Sequence, residues 1–335
     1  MKHTNIKRIS HRIFEELDAT KRIAKVTSWS DAIATFRAKV DIQIMNHNGY
    51  NEWPAARRRL IHKHDIMLKY YEKTFGEFLK TYNYDRVLEM PEQDCSDCIW
   101  VCWWQGLENA PDIVKCCVES IRRNAGNHSV ILITEDNYKE YVEIPEWIEQ
   151  KKKKGIITRT NFSDLLRLSL LAKYGGMWLD STFFCTSPII EEYFDMPLWS
   201  IKRPDYFHAS VASGYFAGYS LACSMENRFA FLTIRDFFLH YWECNDTMVD
   251  YLMVDYMIVL AQKYDEKINE IFRAIVPNNP QCDELFKVLG EPYDSELWNN
   301  LKSKTSLFKL TWKQKFPLEK NGKPTFYKML IEERL

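Results

Sequence analysis

Residues 161–184 read NFSDLLRLSLLAKYGGMWLDSTFF, and this stretch decides the fold. Phe162, Leu165, Leu166, Leu170 and Leu171 recur at helical spacing and make one apolar face. Gly175-Gly176 ends the helix, because its first glycine takes a left-handed conformation without steric cost. Residues 177–184 then read as a strand, with Asp180 near its carboxyl end. Asp164 and Arg167 are three apart, so they lie side by side on the helix. The arrangement draws Asp164, Arg167 and Asp180 toward one mouth of a sheet. Two carboxylates and a guanidinium there suit a polyhydroxyl ligand, a diphosphate or a hard divalent cation. A plainer reading stands beside this one: Asp164 as a capping-box partner of Asn161, and Asp164–Arg167 as a surface ion pair.

Working outward, residues 98–104 (CIWVCWW) read as a buried strand. Pro111 suits a helix start, and Ile113, Val114, Cys117, Val118 and Ile121 give a helical stripe. Residues 129–134 (SVILIT) are a second strand. Strand, helix and strand in this order imply a βαβ unit and a parallel sheet. Ligands of such sheets bind at the carboxyl ends of the strands. Those ends carry Trp103, Trp104, Gln105 and Gly106, and then Thr134, Glu135, Asp136 and Asn137. A dinucleotide fold would need G-x-G-x-x-G after the first strand, and GLENAP at 106–111 has one glycine.

The 335 residues are 46% hydrophobic and 14% aromatic, too apolar for a disordered chain. With 45 basic and 46 acidic residues, nucleic-acid binding is not favoured, and the lysine run at 151–154 has no interleaved aromatics. No apolar run is long enough for a membrane-spanning helix, and the start lacks a secretory h-region. Nine cysteines without such a signal suggest reduced thiols in a cytoplasmic protein. The charge is uneven. Residues 1–86 hold 17 Lys+Arg and 10 Asp+Glu, leaving 28 and 36 for the rest. This first segment reads as helical, through Ile6, Ile9, Ile13, Phe14, Ile23, Val26 and Trp29, then Leu60, Ile61, Met67, Leu68, Tyr71 and Phe78. Its basic faces are either solvated or in contact with anionic lipid. Residues 81–97 look like a linker, so the expected organisation is a helical segment over 1–90 and a main domain over 91–335.

SDLLRLSLLAKYGGMWLD at 163–180 resembles the S-D-x-x-R…GG-x-[YW]-x-D signature of GT-A-fold glycosyltransferases with a DXD motif, and most of all the bacterial capsular polysaccharide synthesis proteins. IWVCWWQGLENAPDIVKCCVESI at 99–121, VILITEDNYKEYVEIPEWI at 130–148, MVDYLMVDYMI at 248–258 and FKLTWK at 308–313 support the likeness, which runs from about 96 to 315. It implies an α/β, GT-A-like, Rossmann-type nucleotide-binding fold with a mixed, mainly parallel sheet, and transfer of a sugar from a nucleotide-sugar donor, with retention of configuration. The acceptor would be an oligosaccharide or lipid-linked glycan at the inner face of the cytoplasmic membrane.

The resemblance also implies residue roles. Trp103 or Trp104 would stack on the base, worth ~1–3 kcal/mol by analogy with single-strand binding, with Gln105 beside them. Asp164 would accept hydrogen bonds from sugar or ribose hydroxyls, Arg167 would bind donor sugar or diphosphate, and Trp178 would pack under the nucleotide. Asp180 is the first DXD position, where Mn²⁺ or Mg²⁺ is expected. Here Asp180-Ser181-Thr182 departs from the pattern, since the Thr182 hydroxyl is a weak ligand for such ions. Phe308 stands where a metal-binding histidine is expected. The ion could still be held by Asp180, the diphosphate and water; without a metal, Arg167, Lys309 and Lys313 are the candidates to neutralise the leaving diphosphate. Asp250 and Asp255 are candidates for a base or acceptor contact. They are five apart, ~140° around a helix, so both cannot face one point. His208, Ser213 and Gly214 fall in the acceptor region. A catalytically degenerate nucleotide-sugar-binding scaffold is the alternative.

Overall fold

The computed structural model describes residues 15–93, 95–189, 191–204 and 206–335. The expectations at Ile6, Ile9, Ile13 and Phe14 lie outside them. Residues 15–26 are helical, followed by α1 (Trp29–His47) and α2 (Pro54–Phe75). Then come β1 (Ile99–Cys102), α3 (Asp112–Arg123), β2 (Val130–Ile133), α4 (Arg159–Tyr174) and β3 (Gly176–Leu179). After these follow β4 (Phe183–Cys185), β5 (Leu198–Ser200), β6 (Ser220–Cys223), α5 (Arg228–Cys244), α6 (Met253–Tyr264) and β7 (Leu307–Lys309).

The central sheet has the order β2-β1-β3-β6-β5. β1 pairs in parallel with β2 and β3, whereas β6 runs antiparallel to both β3 and β5. Four strands therefore point one way and β6 alone opposes them. The protein is mixed α/β with a mostly parallel sheet and a helical N-terminal region. Strand side chains alternate between faces, and the two faces have different cores. Trp100 and Trp178 face one core, shared with α4 and α5. Ile99, Val101, Met177 and Leu179 face the other, shared with α3 and the C-terminal region. The N-terminal helices belong to the first core: the Phe75 ring lies 6.0 Å from Phe237, and Tyr71 lies 5.7 Å from Tyr241.

Three local expectations are corrected. Residues 177–184 are not one strand. β3 ends at Leu179, a turn in which the Phe183 N–H bonds the Asp180 carbonyl follows, and β4 pairs antiparallel with β7 in a separate sheet. α4 starts two residues before Asn161, capped by the Thr158 side chain, so Asp164 sits inside the helix and is no capping-box partner. Trp29 does not extend the stripe of Ile23 and Val26. The first helix stops at 26, the Ser28 side chain caps α1, and Trp29 is 64% exposed. Both glycines of Gly175-Gly176 have positive φ. A Cβ on Gly176 would stand 2.6 Å from the Cys98 carbonyl, so only glycine lets β3 enter beside β1 here.

Candidate active site

The site forms where β3 leaves the sheet. The Asp180 N–H donates to the Tyr219 carbonyl at 3.1 Å, which fixes the turn. Asp180 Oδ1 accepts from Trp178 Nε1 at 3.0 Å and lies 3.5 Å from Arg167 Nη2. Asp180 Oδ2 accepts from Lys309 Nζ at 2.9 Å, and the same ammonium donates to Thr182 Oγ1 at 2.6 Å. The pairing of β4 with β7 sets Lys309 opposite Phe183 and thereby aims it back at Asp180. Alternation on β7 sends its neighbour the other way: Phe308 is fully buried against Trp298.

Arg167 is the hub. Its Nη2 is 3.3 Å from Asp164 Oδ1, its Nη1 donates to the Gly218 carbonyl, and its guanidinium lies 5.1 Å from the Trp178 ring centroid. Asp164 and Arg167 are buried, so they are not a solvated surface pair. Arg167 Nε is buried and has no hydrogen-bond partner among the described residues. Asp255, in the first turn of α6, accepts from Ser210 Oγ at 2.6 Å. Gly218 lets Asp255 and Arg167 close in on the same point. A Cβ there would stand 3.1 Å from Asp255 Oδ1 and 3.5 Å from Arg167 Nη1.

The three carboxylates differ in charge state. Burial pushes Asp164 up to about 6, with Arg167 pulling it down and Asp180 and Asp255 pushing it further up. Burial likewise pushes Asp255 up to about 6, against the Ser210 hydrogen bond and Arg167. Burial acts on Asp180 too, but Lys309 and Arg167, with hydrogen bonds from Lys309 and Trp178, outweigh it and hold this carboxyl below its ordinary value. Asp180 is thus the member that stays ionised while the other two titrate.

The other expected residues are scattered. Trp104 is packed in the first core beside Tyr138 and Phe162, with Nε1 bonded to Ser163 Oγ at 2.7 Å. Trp103 points to the opposite face and meets exposed Trp312 edge-on at 5.5 Å, with its buried Nε1 unpartnered among the described residues. Gln105 and Lys313 are exposed. Asp250 precedes α6 rather than lying on it, and is neither at the cluster nor in solvent. Its Oδ2 lies 2.7 Å from Lys63 Nζ of α2, and Oδ1 accepts from the Leu252 N–H at 3.0 Å. His208 is also structural in its contacts, with Nδ1 2.9 Å from Glu52 Oε1 and its carbonyl 2.8 Å from His64 Nε2. Ser213 and Gly214 make a positive-φ turn in which the Gly214 carbonyl accepts from the Arg203 N–H. Ser210 and Gly218 escaped the sequence reading, because neither lies in a motif and both matter only through residues far along the chain, Asp255 and Arg167. Cavities of about 580 and 390 Å³ lie elsewhere, one between Glu135 and Arg159 and the other between Tyr84 and Lys267.

An α/β protein with an ion cluster at the end of a central parallel strand is what fold and site define. Residues 48–330 match the model of a family described as capsular polysaccharide synthesis protein, and the chain belongs to that family. The match takes in α2 as well as the sheet. No curated protein and no solved structure matches the chain.

Proposed function

We propose that this protein transfers a sugar from a nucleotide-sugar donor to a glycan hydroxyl in capsular polysaccharide synthesis, on a GT-A-like fold. The observation that carries this reading is the convergence of Asp164, Arg167, Asp180 and Lys309 at the end of β3. A departing nucleoside diphosphate needs fixed positive charge, and Arg167 and Lys309 supply it. Asp164 accepts hydrogen bonds from donor hydroxyls. Trp178, buried in the first core, fixes Asp180 through its Nε1–H, while Trp103, with Gln105 beside it, is the better placed of the two tryptophans of the β1 end to meet a base. Lys313 adds charge at the rim. Asp255 holds the acceptor hydroxyl. Under retention of configuration, the bond from the anomeric carbon to the phosphate oxygen breaks, the acceptor oxygen bonds that carbon from the same face, and the departing phosphate takes the acceptor's proton.

Mn²⁺ or Mg²⁺ does not fit the donor set in this arrangement. Asp180 Oδ2 and Thr182 Oγ1, the two expected ligands, both face the Lys309 ammonium. We therefore assign charge neutralisation to Lys309 and Arg167 and no step to a metal. Thr182 in place of a second aspartate also favours a second reading, a scaffold that binds nucleotide sugar without turnover.

Calorimetric titration with UDP-, GDP-, CMP- and dTDP-sugars, in chelator, tests the site. Binding of one donor, lost in Arg167→Ala, is expected. No binding of any donor, with or without Mn²⁺, would sink this assignment.

A further inference from the structure

α1 has apolar side chains on two sides. Ala32, Ala38 and Met45 are buried in the protein, whereas Trp29, Ile33, Phe36, Val40 and Ile44 are exposed by 64, 62, 42, 42 and 43%. At ~100° per residue these five fall within a sector of about 80°, and they span about 22 Å of helix. Single exposed apolar residues are ordinary, but a continuous stripe marks a surface that something covers.

Charge selects the occupant. Both acids of α1 are turned toward α2, where Asp31 meets Lys69 at 3.5 Å and Asp41 meets Arg59 at 2.5 Å. Lys39 is held by Glu16 at 2.8 Å, while Arg37 is exposed beside the stripe. Residues 1–86 carry 17 Lys+Arg against 10 Asp+Glu, and four of those basic residues but no acidic one lie in the first 14. A second copy packed stripe to stripe would bring the same positive surplus to the interface, and residues 1–14 add only basic charge to it. An anionic surface meets this surplus with opposite charge.

We infer that α1 lies flat on an anionic lipid surface. The stripe enters the boundary between headgroups and acyl chains, and the basic side chains of the N-terminal segment meet the headgroups. No helix among the described residues is long and apolar enough to cross a membrane. The inference stands apart from the sugar-transfer reading, which uses none of these residues.

The test is flotation of the full chain with vesicles of phosphatidylcholine, alone or mixed with phosphatidylglycerol. The triple variant Ile33→Ser, Phe36→Ser, Ile44→Ser is run beside it, with its melting temperature and donor binding as controls for folding. The full chain should float with the mixed vesicles. Binding should fall at least ~10-fold in the triple variant, in pure phosphatidylcholine and at high salt. Equal flotation of the variant overturns the inference, and so does a native chain that stays at the bottom. If the native chain is then a dimer by light scattering and the variant a monomer, the stripe belongs to a second copy.

Discussion

The Lys63–Asp250 pair and the cluster around Arg167 are both ionic and both buried, yet they are built on opposite plans. Lys63 and Asp250 are 1 and 4% exposed, one charge against one, and they fasten α2 to the chain entering α6. Burial pushes Asp250 up, but Lys63, Lys39 and hydrogen bonds from Lys63 and the Leu252 N–H outweigh it, so it stays ionised. The cluster sets three carboxylates against two cations. Asp180 and Lys309 remain 28 and 20% exposed, and two of the three acids are pushed up to about 6. Burial does not distinguish a fastener from a site. Unmatched charge with an opening to solvent does.

The comparison breaks most visibly if the two behave alike. Lys63→Ala should cost about 3–5 kcal/mol in denaturant unfolding, because it strands a buried carboxylate. Replacing both partners, Lys63→Met with Asp250→Leu, should restore most of that stability. Arg167→Ala should cost about 10²–10³ in turnover, the loss typical of a deleted donor to developing charge, with a smaller loss of stability than Lys63→Ala. A Lys63→Ala variant as stable as the native chain would refute the fastener reading.

Gly218→Ala sharpens the site side. Its Cβ would press on Asp255 Oδ1, which must give by a few tenths of an ångström, while only touching Arg167. Turnover should fall about tenfold, on the scale of an overpacking cost of 1–3 kcal/mol, while Lys63–Asp250 is untouched. The smallest effect is in pH. Asp164 and Asp255 lie above the unfolded carboxyl value of ~3.9, so they favour the fold when protonated. Their contribution is present below about pH 4 and lost as pH rises through about 6. Activity runs the other way, rising through about 6 as Asp255 ionises to hold the acceptor. Asp255→Asn should flatten the activity limb, read from kcat/KM, and weaken the stability limb, read from melting temperature, to the part that Asp164 supplies.

Local pattern made the framework legible. The β-branched and aromatic run CIWVCWW, the stripe from Ile113 to Ile121 and the helix ending on Gly175-Gly176 each marked an element close to where it lies. The break at Asp180 was not legible, since the aromatic run continues through Phe184 while its partner changes to β7, more than a hundred residues away. Spacing said that Asp250 and Asp255 could not both face one point, but not which of them would, and only the approach of α2 to Asp250 decides it. Lys309 was legible as a basic residue near the diphosphate, but its seat between Asp180 and Thr182 follows from β-pairing register. The exposed stripe of α1 was hidden because the helix is apolar on both sides, and sequence periodicity does not say which side is covered.

The central claim is turnover at Asp180 and Arg167 with Lys309 in the cation's place. The most direct measurement is nucleoside-diphosphate release from UDP-, GDP-, CMP- and dTDP-sugars, each with glycan acceptor, in Mn²⁺ and in EDTA. The account predicts release from one donor that survives EDTA and is lost in both Asp180→Ala and Lys309→Ala. Release that requires Mn²⁺, or that persists in Asp180→Ala, would contradict it.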